Sequence, residues 1–234
     1  MAKTTQANPL AVIPTTGPCD MSLAGSGDYL RRVKLAADLT DEVKKREAVV
    51  GDFIIQGVSN LGQEVKVVLV KARPHALQLT DGSSKVGAES YDMNSPEFQQ
   101  IRKDKDANPG QQDPNNMYGY DFLLWLPEDK TFVTYFLCKM SLFKSVPAFT
   151  KNLGKLVTMA SREEHSKKNA KITYRVPTVA VLDEDYATPT QAEYDRAIAL
   201  FDNPRVQRAG ESAEQTAANS KGGKAAKSGG RKGR

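Results

Sequence analysis

The clearest alternation in the chain lies in two apolar runs, FLLWL (122–126) and TFVTYFLC (131–138), separated by Pro127–Glu128–Asp129–Lys130. β-Rich runs flanking a proline-led four-residue turn predict a hairpin, because proline presets the first dihedral of the turn. In the second run Phe132, Thr134, Phe136 and Cys138 fall on one face, and Val133, Tyr135 and Leu137 on the other. Both faces are largely apolar, so this strand is expected at the centre of a sheet, covered on both sides.

Two earlier runs, GDFIIQG (51–57) and EVKVVLVKARPHALQL (64–79), are rich in Val, Ile and Leu, with turn chemistry at Asn60–Leu61–Gly62 between them. Pro74 lacks a ladder donor, so the second run must bend there, lie at an edge, or divide into two strands. A last strand is predicted at ITYRVPTVAVL (172–182), interrupted at Pro177.

Helical signals occur in four places. Thr40 stands as an N-cap before Asp41 and Glu42, with Lys44, Lys45 and Arg46 toward the far end and Gly51 as the stop. Ser95 can cap SPEFQQIRKDK (95–105), which has Pro96 at its first helical position and Glu97 behind it. SVPAFTKNLGKLVTMA (145–160) suits a helix from near Pro147 with Phe149, Leu153, Leu156 and Val157 as its stripe, although Gly154 weakens it. TQAEYDRAIALF (190–201) predicts a short amphipathic helix closed by Asn203–Pro204. The alternation in YLRRVKLAADL (29–39) is too imperfect to assign, and REEHSKKNAK (162–171) reads as a charged connection.

Together these elements predict one mainly β domain with short helices (α+β) over residues 28–204, with a polar insertion at 80–120 and disordered segments at 1–27 and 205–234. Within the insertion, NPGQQDPNNMYGY (108–120) is dense in turn residues and reads as a long irregular loop, which in a compact domain is either mobile or functional. Five or six strands arranged in hairpins argue against a doubly wound sheet. An OB-like, partly open antiparallel barrel, plugged at one end by its internal helix, satisfies that count; a small sandwich is the competitor.

With 234 residues, the chain fits one substantial domain plus tails, or two small ones. Cys19 and Cys138 are its only cysteines, which gives neither a disulfide framework nor zinc-ligand spacing. No run approaches the roughly 18 apolar residues of a membrane span, and the N-terminal stretch lacks the apolar region of a secretory signal. A soluble, cytoplasmic protein is expected.

Charge changes the picture more than composition does. Lys221, Lys224, Lys227, Arg231, Lys232 and Arg234 stand in a fourteen-residue segment that otherwise holds only Gly, Ala and Ser. The whole chain carries a net charge of +5; without that segment's six cations, residues 1–220 stand at −1. A basic segment of this composition gains little by folding and much by neutralising a polyanion, because phosphate contacts release counterions. The bland alternative is a solubilising end.

Enzyme chemistry has no comparable signal. His75 and His165 lie outside any recognised ligand or triad spacing, and neither a P-loop nor a G-x-S-x-G motif occurs. The acidic groups Glu163–Glu164 and Asp183–Glu184–Asp185 read as solvated connectors. No catalytic residue, metal ligand or cofactor is assigned, and a non-enzyme is expected.

Binding a single strand without sequence preference needs cations along the phosphates and aromatic faces for the bases. Lys71 and Arg73, together with Lys171 and Arg175, supply cations in the strand regions, as do Arg31, Arg32, Lys34, Lys66, Lys139, Lys144 and Lys168. Candidate stacking residues are Tyr118 and Tyr120, in the polar insertion, Tyr174, beside Arg175, and Trp125, Phe132 and Tyr135 in the apolar runs. Trp125, Phe132 and Phe136 sit in dense apolar runs and read as core.

In size, hairpin-built core, the YFLCKMS step (135–141) from strand into helix, and a disordered end, residues 28–182 resemble the single-stranded DNA-binding proteins of tailed phages. The resemblance implies an OB-fold, cooperative coating of exposed DNA, and contact with replication or recombination enzymes in a host cytoplasm. Such proteins commonly end in an acidic tail that recruits partners, whereas this chain ends basic. That departure would let the tail add directly to DNA affinity. An assembly protein whose basic tail meets nucleic acid or an acidic partner is the alternative, followed by a regulatory protein that binds an enzyme through residues 80–120. Oligomeric state is left open.

Overall fold

In the computed structural model the described residues are 29–203, apart from 39, 56–57, 81–85, 109–114, 139–144 and 166–172. The segments expected to be disordered, 1–27 and 205–234, lie outside them. Two units separate by their internal contacts: one holds Arg31–Pro189, the other Thr190–Asn203 together with Tyr29 and Leu30.

The first unit is mainly β. Its strands are β1 (Arg31–Leu35), β2 (Phe53–Ile55), β3 (Ser59–Gly62), β4 (Glu64–Leu79), β5 (Val86–Ser90), β6 (Asn116–Leu126), β7 (Thr131–Cys138), β8 (Leu156–His165) and β9 (Thr173–Val181). Its helices are α1 (Asp41–Lys44), α2 (Pro96–Ala107) and α3 (Val146–Lys151). The strands join one sheet in the order β3-β2-β1-β7-β6-β4-β8-β9, with β5 paired to β4 off that path. All recorded pairings are antiparallel except β1 with β7.

The expected hairpin is present. β6 and β7 pair from Leu126↔Thr131 to Gly119↔Cys138 across the Pro127–Lys130 turn, and β7 lies inside the sheet between β1 and β6. Alternation sends Phe122, Leu124 and Leu126 of β6 and Val133, Tyr135 and Leu137 of β7 into one core cluster. Val67 and Leu69 of β4, Phe53 and Ile55 of β2, Val157 and Met159 of β8, and Phe149 of α3 complete it. Strands from both halves of the order share this core because the sheet curls into an open half-barrel. At about 1.5–3 kcal/mol per fully buried apolar side chain, this cluster is the main stabilising feature of the unit.

Gly51 marks where the curled sheet comes round on itself. Its φ is +97°, and a Cβ there would stand 2.8 Å from Ser161 Oγ on β8. The other face of the sheet is partly covered by the extended stretch after β9. Trp125 Nε1 donates to the Ala187 carbonyl at 2.7 Å, and Lys66 pairs with Glu184 at 2.7 Å.

Several expectations need correction. Nine strands among the described residues exceed the five or six expected. Asn60–Leu61–Gly62 belongs to strand β3, which pairs with β2, rather than to a turn between β2 and β4. Helix α1 stops at Lys44, before Gly51, because Arg46 takes φ +62°. Thr40 stands at its N-cap but makes no side-chain cap hydrogen bond; its Oγ1 accepts from Ala37 N at 2.9 Å. The helix expected over 145–160 ends at Lys151; after Gly154 (φ +78°) the chain enters β8, which also absorbs Arg162–His165.

The unassigned 29–39 run contains β1, a five-residue strand whose only fully buried member is Val33. In the insertion β5 forms at Val86–Ser90, and β6 takes in residues 116–120 of the expected loop, of which 109–114 lie outside the described residues, so Tyr118 and Tyr120 lie in a strand. β4 runs unbroken through Pro74, because that residue falls between the stretch paired with β8, which ends at Val68, and the stretch paired with β5, which begins at Ala76. β9 likewise continues through Pro177, at the end of the sheet order, where a missing N–H is tolerated.

The cap of α2 was legible. Ser95 Oγ accepts from Phe98 N at 3.1 Å at the start of α2. In the second unit, α4 (Gln191–Asp202) opens with a full capping box, in which Glu193 N donates to Thr190 Oγ1 and Thr190 N donates to Glu193 Oε2.

Candidate nucleic-acid interface and a buried ionic cluster

Tyr118 and Tyr120 point to the same face of β6, two residues apart. The Tyr118 ring meets Phe98 edge-on at 6.5 Å, beside Ala76 and Ile101, and its hydroxyl donates to Asp106 Oδ1 at 2.5 Å. Burial and the Asp106 hydrogen bond push that phenol up to about 12. Tyr120 is half-buried against the main core, with its hydroxyl toward Met93 Sδ at 3.7 Å.

Tyr174 lies on β9, three strands along the sheet from β6, with its hydroxyl 3.4 Å from Glu164 Oε2. Alternation sends its neighbour Arg175 to the opposite face, where that guanidinium pairs with Glu163 at 3.5 Å. Arg162, diagonal to Tyr174 across the β8–β9 ladder, is the cation on the tyrosine's own face, and it pairs with Glu164. Lys71 is half-buried on β4. Lys171 and the six cations from Lys221 to Arg234 lie outside the described residues. A shallow pocket of about 230 Å³ between β9 and α3, lined by Ser145, Arg162, Glu164 and Pro177, falls below the 300–1,000 Å³ typical of small-ligand clefts.

Arg73 has a different setting. It shares one face of β4 with His75, and across the β4–β6 ladder it stands opposite Asp121. The Arg73 guanidinium lies 3.3 Å from Asp121 Oδ2, and its Cζ sits 3.8 Å above the Tyr91 ring. The Tyr91 ring stacks in turn on His75, 4.5 Å between centroids at 18°, while Phe136 of β7 tilts against the imidazole from another side at 4.5 Å.

Both imidazole nitrogens face carboxylates. His75 Nε2 is 2.9 Å from Glu89 Oε1 on β5, and Nδ1 is 3.1 Å from Asp121 Oδ2 on β6. The second contact has ion-pair distance without hydrogen-bond alignment. Tyr91 also donates to Glu89 Oε1 at 2.6 Å. The side chains of His75, Glu89 and Asp121 are 1%, 6% and 3% exposed, so water does little to screen the cluster.

Burial disfavours a charged imidazole, but Asp121 and Glu89 together outweigh it and raise the His75 pKa. Burial likewise opposes the Asp121 carboxylate, and His75, Arg32 and Arg73 overcome it and hold its pKa below the ordinary value. This cluster was not read from the sequence. The available signals were the i, i+2 spacing of Arg73 and His75 on an apolar strand, and a lone acid, Asp121, at the head of FLLWL. Glu89, over thirty positions from Asp121, carried none.

Among the described residues no group of three or more His, Cys, Asp or Glu side chains is placed to hold a metal ion. No helix among them is long and apolar enough to cross a membrane. In comparisons with protein families, curated proteins and solved structures, nothing matches the chain.

Proposed function

We propose that the chain is a single-stranded DNA-binding protein rather than an enzyme, coating exposed strands through backbone charge contacts and base stacking. The observation that carries this reading is the charge distribution: six cations and no acid in residues 221–234, on a remainder of net −1. Such a segment favours polyanions through counterion release and has no apolar side chain larger than Ala to bury elsewhere. The platform proposed for the strand is the half-barrel, OB-like in being curled and partly open. Tyr174 on the edge strand β9 is favoured for stacking over Tyr118, whose ring and hydroxyl are engaged by Phe98 and Asp106. The tail is favoured for phosphate contact over Arg73, which is engaged by Asp121 and Tyr91.

The setting proposed, from the resemblance, is viral DNA replication or recombination in a host cytoplasm, with enzymes of those processes as partners. Equilibrium titration of the full chain against oligothymidylate and a duplex of equal length, at two salt concentrations, tests the reading. Preferential binding to the single strand, falling steeply with salt, is expected. Large oligomers without nucleic acid, and no single-strand preference, would transfer support to the assembly-protein alternative.

A further inference from the structure

We propose that the Asp121–His75–Glu89 bridge is a proton-operated latch that holds β5 and the Tyr91 segment against β4 and β6. A neutral imidazole carries one N–H and one lone pair, whereas the protonated ring donates at both nitrogens. Here both nitrogens lie within 3.1 Å of a carboxylate oxygen, on two different strands. Only the protonated ring turns an N–H toward both, hydrogen-bonded at Glu89 and at ion-pair distance from Asp121; the neutral ring must turn a lone pair toward one of the carboxylates in a nearly dry site.

The groups packed around the ring come from five strands. β4 contributes Arg73, β5 contributes Glu89, and the residue following β5, Tyr91, covers one ring face. β6 contributes Asp121, β7 contributes Phe136 and, opposite Gly119, Cys138, and Arg32 of β1 acts on Asp121. Tyr91 is kept neutral by burial, which raises its pKa, so it remains a donor to Glu89.

Of the strands packed around the ring, β5 is the one with a recorded pairing on a single side. Among the described strands it pairs only with β4, at four register positions from Ala76↔Ser90 to Leu79↔Val86, with a shift in the last step. Beyond those it has Ala88 against the Phe98–Ile101 cluster, Ser90 Oγ 2.6 Å from Ser95 Oγ, and the Glu89 contacts with His75 and Tyr91. Loss of the His75 proton therefore weakens attachment of β5 and Tyr91 first. β7, paired on both sides, keeps its place.

Two measurements on the full chain test this: NMR titration of the His75 ring, and amide hydrogen exchange corrected for intrinsic rates, between pH 6 and 9. His75 is expected to lose its proton above the ordinary value of 6.5. Opening of residues 86–91 should rise at least about tenfold across the range as the imidazole loses its proton. Residues 133–137 should hold their protection.

Glu89→Gln preserves shape but removes one carboxylate. It should lower the His75 titration point, raise opening of 86–91 at pH 6, and shrink the pH response. Three results would overturn the latch. They are His75 titrating at or below 6.5, less than a threefold change in 86–91, or loss of protection in 133–137 in step with 86–91.

Discussion

Two residues of β6, Gly119 and Asp121, show how narrowly the sheet is specified beside His75. A Cβ on Gly119 would lie 2.1 Å from the Leu137 carbonyl oxygen, a backbone atom that cannot turn aside. Gly119→Ala must therefore part β6 from β7, and we expect a loss of about 3 kcal/mol, the upper range for overpacking. Urea unfolding would measure it, and a loss under about 1 kcal/mol would show that the ladder yields. For Asp121→Asn the expected loss is about 3–5 kcal/mol, because removing one partner leaves buried charge uncompensated.

The pH dependence has a defined sign at each end. The Asp121 pKa is lowered on folding, so its contribution is full above the unfolded value near 3.8 and disappears as pH falls through the folded one. The His75 pKa is raised, so its contribution is full below 6.5 and disappears as pH rises through the folded value. A denaturation midpoint that falls on both sides is expected, with the acid limb flattened in Asp121→Asn.

Among the elements, those fixed by local chemistry were readable and those fixed by distant partners were not. The β6–β7 hairpin follows from a turn and two alternating runs. Likewise α2 follows from its Ser95 cap and Pro96, and α4 from an amphipathic run closed at Asn203–Pro204. Ser95→Ala should remove the Phe98 hydrogen bond and lower stability by about 1 kcal/mol, visible as a shifted urea midpoint; no shift would mean that packing of Phe98 and Ile101 sets the helix start. By contrast, β1 is a strand because β2 and β7 flank it, and Arg162–His165 are strand because β9 pairs with them. Their polar composition conceals this, since β propensity reports the surface on which a residue packs. Pro177 misled for a related reason: a proline breaks a ladder only where its N–H is required, and partner placement decides that, whereas Pro74 does sit where one side of β4 is a local edge.

For the whole molecule, sequence conveyed a mainly β body and a charge asymmetry, while the number and order of strands came from long-range pairing. Its ionic cluster was hidden for the same reason, since residues 75, 89 and 121 meet only once β4, β5 and β6 are assembled. The tail, which can bury almost nothing, is expected to be separable from the fold: deleting residues 221–234 should leave the melting temperature unchanged. A fall of several degrees would mean that it packs on the body.

The central claim is a division of labour, in which the tail supplies charge and the body supplies stacking. The most direct test is the salt dependence of oligothymidylate binding by the full chain and by residues 1–220. The truncated chain should still bind, more weakly, and its log K against log salt slope should be shallower by up to about four, six phosphate contacts at roughly 0.7 each. Equal slopes for the two chains, or no binding by residues 1–220, would contradict the account.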